Sequence, residues 1–144
     1  MWRDTGRAMS QENMEIVRLA YAAVNEGDRD ALAEITALDA VVDFSRSIGP
    51  LEGIYRGRDA FARYVGAIAE AFESFQLSPV DFAVAPGGEI VVRHHVRARG
   101  RVSGLEIDRV PDVALVWELR DGKVTKTTMY QPHGEGLDAV GLRE

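Results

Sequence analysis

Two adjacent histidines, His94 and His95, stand in the alternating stretch Ile90-Val91-Val92-Arg93-His94-His95-Val96. Imidazole titrates near neutral pH, so a histidine turned into a sheltered space is a candidate general acid or base. Consecutive side chains of an extended strand point to opposite faces, so only one of the pair can face a core. For the same reason the two cannot grip one metal ion, and with no cysteine in the chain no metal site is expected. Asp43, within Val41-Val42-Asp43-Phe44, is a second candidate base, although Val42 and Phe44 are the better candidates for inward positions. Gly87-Gly88 reads as a turn and not as a phosphate-binding loop, and no cofactor is expected.

These groups need elements to position them. Ser10 offers an N-cap oxygen, and Ile16, Val17, Ala20, Tyr21, Ala23 and Val24 follow as one apolar helical stripe ending at Gly27. Asp28 can cap a short second helix that carries Leu32 and Ile35 inward, and Val41 to Ser45 reads as a strand. Glycines and Pro50 make 48–57 a loop. A third helix is predicted from about Asp59, with Phe61, Val65, Ile68 and Phe72 on one stripe and Tyr64 and Phe75 flanking it; Pro79 lies past its end. From Leu77 the period is two, giving strands over about 77–86, 89–102, 105–120 and 123–131, joined at Gly87-Gly88, Ser103-Gly104 and Asp121-Gly122. Helices first and a meander after predict an α+β domain, one curved antiparallel sheet with helices on one face. Residues 1–9 read as a flexible extension, with Trp2 a candidate for docking on a surface groove, and 10–144 as a single domain.

Turn positions set a register. A two-residue loop at Ser103-Gly104 would oppose Arg101 to Glu106, Arg99 to Asp108 and His95 to Asp112 on a wet face. The dry face would then pair Ile90 with Trp117, Val92 with Leu115, His94 with Val113 and Val96 with Pro111. A tight turn at Asp121-Gly122 adds Thr128 opposite Leu115 and Tyr130 opposite Val113. The dry face thus collects an imidazole, a phenol and a hydroxyl, which must bond each other and the backbone or else line a cavity. His94 is then either an acid–base group or a core histidine bonded to Tyr130 or a carbonyl. Tyr21, Phe61, Tyr64, Phe72 and Trp117, with Thr128 and Tyr130, are the candidate ligand wall, set against the ordinary role of such aromatics as core. Pro111 cannot donate to a ladder and marks a place where a bulge would shift the register.

Composition bounds the rest. With 144 residues, 46% apolar content and net charge −6, the chain reads as one soluble domain without the cation surplus of a general nucleic-acid binder. No run is long enough to span a membrane and no signal-peptide pattern opens the chain, so a cytoplasmic protein without membrane partners is expected. The Arg93, Arg97, Arg99 and Arg101 row is largely neutralised by Glu106 and Asp108, a solvated or dimer-forming face and not a phosphate site.

Four segments carry a family resemblance. Tyr21-Ala22-Ala23-Val24-Asn25-Glu26-Gly27-Asp28, Ile54-Tyr55-Arg56-Gly57, the hairpin Val116 to Val124, and Tyr130 with Ala139-Val140-Gly141-Leu142 resemble, in order, motifs of the SnoaL-like polyketide cyclase family. That family lies in the nuclear transport factor 2-like superfamily, and the resemblance covers residues 10–142. It implies a cone-shaped, strongly curved sheet wrapped around a long helix with an apolar pocket inside, in the cystatin-like α+β barrel manner. It also implies a homodimer through the outer sheet face. The superfamily houses cyclases, ketosteroid isomerases, epoxide hydrolases, dehydratases and members without known activity, so fold alone does not assign a reaction. Where the cyclases of this group carry an aspartate on the last strand, the stretch Gly122 to Gly134 has no Asp or Glu. Asp43 falls one position from the ketosteroid isomerase aspartate, and Arg97-Ala98-Arg99 lacks the R-x-D of the epoxide hydrolases. Two readings follow: a cofactor-free isomerase, cyclase or lyase using His94 on a small apolar substrate with Tyr130 as hydrogen-bond donor, or a non-catalytic ligand-binding or dimerisation module. A pure interaction protein working through the outer face is a third.

Overall fold

The helical period of the N-terminal half and the two-residue period of the C-terminal half become α1 (Trp2–Glu26), α2 (Arg29–Glu34), β1 (Thr36–Phe44), β2 (Gly53–Arg56), α3 (Ala60–Ala71), β3 (Phe72–Val84), β4 (Ile90–Gly100), β5 (Glu106–Arg109), β6 (Ala114–Arg120), β7 (Lys123–Tyr130) and α4 (His133–Ala139). The computed structural model describes residues 2–47 and 50–142, with side chains from residue 10 onward. Gly27 closes α1 at φ +68°, the left-handed geometry that glycine tolerates best. Asp28 caps α2, its Oδ1 accepting from the Ala31 N–H at 3.1 Å. Ser10 does not cap α1, because the helix already runs from Trp2. Whether Trp2 docks in a groove concerns a side chain outside the described residues.

The seven strands form one sheet in the order β2-β1-β7-β6-β4-β3, with β5 beside β4. All neighbouring pairs are antiparallel except β1 and β7, whose parallel pairing departs from the all-antiparallel expectation. Buried Val17, Ala20, Tyr21 and Val24 of α1, Phe61, Tyr64, Val65 and Ile68 of α3, and Val42, Phe44, Ile90, Val92, Leu115 and Trp117 of the sheet make the main core. Asn25 ties helix to sheet: its Oδ1 accepts from the Leu77 N–H at 2.8 Å, and its Nδ2 donates to the Leu77 carbonyl at 2.7 Å. On the opposite face α4 covers Val91, Ala114 and Val116.

Several local expectations are corrected. The loop predicted over 48–57 contains the edge strand β2, whose register runs from Val41–Arg56 to Phe44–Gly53; positions 48 and 49 lie outside the described residues. Phe72 is not the last turn of α3 but the first residue of β3, at φ −124°. Strand β3 therefore starts five residues before Leu77, and Pro79 sits inside it beside a register shift.

The two predicted hairpins also change. Gly100 bonds Leu105 and Arg99 pairs with Glu106, so the loop is Arg101 to Gly104, longer than the two residues expected. Ile90–Trp117 and Val92–Leu115 pair as predicted. Between Val92–Leu115 and Val96–Arg109, β4 advances four positions while its partner advances six. The surplus is the break around Pro111 that separates β5 from β6. In β7 a bulge between Leu119–Val124 and Glu118–Lys126 inserts Thr125, whose hydroxyl donates to the Glu118 carbonyl at 3.0 Å. A one-residue slip turns every later side chain over. Thr127 and Met129 accordingly join the dry face beside Trp117 and Leu115, while Thr128 and Tyr130 pair with Val116 and Ala114 on the outer face. The predicted rows linking His94 to Tyr130 and Val92 to Thr128 are thus overturned.

Candidate functional site

His94 lies at position five of β4, on the same side as Ile90 and Val92, and is 4% exposed. It stands where the sheet is irregular on both flanks. On one side it pairs with Pro79, next to the β3 shift; on the other it faces the gap between β5 and β6. The Tyr21 hydroxyl of α1 lies 3.2 Å from His94 Nδ1, with the two rings edge to face at 5.9 Å. Burial drives the imidazole down to about 4, so it is neutral at physiological pH. Burial also pushes the Tyr21 phenol well above its usual value, with Tyr64 adding to the rise and the Trp117 indole opposing it. Trp117 Nε1 is buried without a hydrogen-bond partner that meets full geometry among the described residues.

His94 lines a cavity of about 160 Å³. Its inner wall is aromatic and aliphatic: Phe44, Tyr64, Phe72, Phe75, Leu77, Leu115 and Met129. At the strand break the lining reaches solvent through exposed Arg109 and Gln131 and half-buried Pro111 and Ser47, and this side is its mouth; Val113, also in the lining, is buried. Tyr21, Phe61 and Trp117 sit one layer deeper, around a void of only about 10 Å³. There Phe61 stacks on Trp117 with centroids 5.5 Å apart and planes at 8°. A wider, open groove of about 530 Å³ shares Phe75 and Ile107 with this cavity, runs among Asn25, Ser74, Gln76, Arg97 and Asp108, and contains none of the buried titratable groups. Among the described residues no group of three or more His, Cys, Asp or Glu could hold a metal ion.

Of the sequence candidates, the fold brings His94, Tyr64 and Phe72 to the cavity, and places Tyr21, Phe61 and Trp117 as its floor. Thr128 and Tyr130 are on the other face, where Arg46 lies 5.0 Å over the Tyr130 ring. Asp43 alternates outward between buried Val42 and Phe44. Partial burial raises its carboxyl, but the Ser45 hydroxyl at 2.6 Å and N–H at 3.0 Å, with Arg46 and Lys126, more than offset this and hold it below its ordinary value. A carboxylate so held is a poor base. His95 points outward as expected, yet its partner is Asp108, 2.5 Å from Nε2, and not Asp112, whose Oδ1 accepts from the His133 N–H. Arg109, Gln131, Ser47 and Met129 were not legible as lining residues. Pro111 was the available signal, because it marks where the ladder opens.

The SnoaL-like domain family matches residues 17–127. The chain belongs to this family. No curated protein matches it significantly. Among solved structures, this SnoaL-like chain is similar to Bal32a from a soil-derived mobile gene cassette, at 23% identity over 84% of this chain and 89% of that one, TM-score 0.72. It is similar to an NTF2-like protein of Burkholderia xenovorans LB400, at 28% identity over 83% and 88%, TM-score 0.69. It is also similar to a protein of Sinorhizobium meliloti provisionally assigned as a polyketide cyclase, at 26% identity over 81% and 94%, TM-score 0.59. The curved sheet around helices is the NTF2-like architecture of these neighbours. No helix among the described residues is long and apolar enough to cross a membrane.

Proposed function

We propose that this SnoaL-like chain binds a small, largely apolar molecule of about one ring in the cavity beside His94, and acts on it by cofactor-free proton transfer. The observation that carries the reading is a neutral, buried imidazole lining an apolar hollow. The volume, about 160 Å³, is close to that of an engineered cavity of roughly 150 Å³ that accepts benzene. It is well short of the roughly 300–1,000 Å³ of pockets for drug-sized ligands, which argues against a polycyclic substrate.

In this reading the Nδ1–H of His94 donates to the Tyr21 oxygen and leaves the Nε2 lone pair available to the ligand. A proton removed from carbon passes to Nε2 and returns to the same or a neighbouring carbon, which is isomerase chemistry. A base with a pKa of about 4 is suited only to C–H bonds already acidified by a carbonyl. Tyr21 takes the partner role that sequence spacing assigned to Tyr130.

The test is proton exchange at the α-carbons of cyclohexanone in heavy water, followed by NMR. Exchange above the buffer rate, lost in His94→Ala, supports the proposal. Binding without exchange favours the second reading, a non-catalytic ligand-binding module. A specific observation favours that alternative: no carboxylate among the described lining residues stands ready to strengthen the base. Failure of cyclohexanone and similar one-ring compounds to bind overturns both.

The homodimer implied by the resemblance is also a proposal. The outer face of β4 beyond Val91 is not covered by α4 and is where a second copy would pair. Sedimentation velocity, with a monomer at all concentrations as the contrary result, tests it.

A further inference from the structure

The cavity has one charged group at its mouth. Arg109 ends β5 on the lining side, and no Asp, Glu or Lys is among the described residues that line the space with it. The neighbouring arginines are already engaged. Arg93 lies 3.6 Å from Asp81, Arg97 3.9 Å from Asp108, and Arg99 3.5 Å from Glu73 and 3.3 Å from Glu106. No carboxylate pairs with Arg109 among the described residues, and the alternation of β5 turns Asp108 to the other face, toward His95 and Arg97. Gln131 and Ser47 add an amide and a hydroxyl to the same rim. An oily hollow sized for one ring, rimmed by a free guanidinium and two neutral donors, is complementary to a molecule with an apolar ring and one planar anionic end.

Resting on the cavity reading above, we infer that the ligand is a one-ring carboxylic acid, held with its ring against Tyr64, Phe72 and Leu115 and its carboxylate on Arg109. The planar fork of a guanidinium matches a carboxylate with two parallel N–H donors. A phosphate would bring a second charge for which the lining offers no second cation. The chain as a whole carries net charge −6 and repels anions, so a preference for one must come from this local group and not from the overall field.

Isothermal titration calorimetry of the full chain with benzoate and with benzamide, its neutral isostere, tests this. Benzoate is expected to bind about five- to tenfold more tightly than benzamide. Arg109→Gln is expected to erase that preference while benzamide affinity stays within about twofold, since the ring contacts are untouched. Arg97→Gln, which removes an equal charge from the outer face, is expected to preserve the preference. If both compounds bind equally, or Arg109→Gln leaves the ratio intact, the carboxylate assignment is wrong while the cavity stands as a binding site. If neither binds, the cavity reading fails and this inference with it.

Discussion

The Tyr21 hydroxyl and His94 Nδ1 lie 3.2 Å apart although 73 positions separate them in the chain. This contact joins the long helix to the sheet at the floor of the cavity and occupies the Nδ1 side of the imidazole. Tyr21→Phe removes the partner and leaves a buried nitrogen unsatisfied. The expected cost is about 1–3 kcal/mol in urea unfolding, with the fold retained by circular dichroism.

The pH dependence of stability follows from the same burial. Unfolded His94 titrates near its ordinary 6.5, whereas folded His94 titrates at about 4. Between those values the unfolded chain takes up a proton that the folded chain refuses. Stability is therefore full above about pH 6.5, falls as pH drops toward 4, and levels off below it as far as this group is concerned, a loss on the order of 3 kcal/mol. Urea midpoints from pH 4 to 7 should show this slope, and His94→Gln should flatten it. Asp43→Asn should not, because the lowered Asp43 carboxyl titrates below its ordinary 3.8, outside that window.

Asn25 presents a different kind of joint, a single amide that bonds both backbone groups of Leu77. Asn25→Ala strands a partly buried N–H and C=O together, and a loss of about 2–4 kcal/mol is expected from thermal or chemical unfolding. Asn25→Asp keeps the acceptor but sets a carboxylate against the Leu77 carbonyl, so it should not rescue. The asparagine of the Tyr21–Asp28 motif thus has a structural task, which its position in the sequence did not disclose.

Tyr130→Phe and Thr128→Ala should leave binding of one-ring ligands within about twofold, since both side chains are on the face away from the cavity. Tyr64→Ala, which opens the wall, should weaken binding by about tenfold or more. Calorimetric titration of the three variants checks this, and equal losses in all of them would contradict the observed register.

Residue types and spacing made much of the frame legible. The alternation through Ile90, Val92 and His94 placed the imidazole inward, and that held even though the Ser103-Gly104 loop was misjudged. The error moved the register by two residues, and a two-residue shift preserves faces. Tyr130 was misplaced because the Thr125 bulge moves the register by one, and neither glycine nor proline announces it. Phe72 fits a helical stripe by spacing alone, and pairing with Gly100 on β4 overrides that local preference. Tyr21 was read as wall material; its meeting with His94 depends on how α1 lies across the sheet, which no local pattern encodes.

Steric room sets one further requirement. A methyl on Gly136 of α4 would come within 2.7 Å of the Ala114 Cβ and 3.2 Å of the Tyr130 Cβ. Gly136→Ala is expected to cost about 1–3 kcal/mol and to raise hydrogen exchange across residues 133–139 before the rest of the chain.

Between Arg109 and Ala114 the chain leaves the sheet at the point where the hollow opens. Those few residues are a detachable rim: they can be exchanged or lengthened at small entropic cost, because loop closure grows only slowly with length. The bonded ribbon behind that rim holds the imidazole independently of how long the rim is.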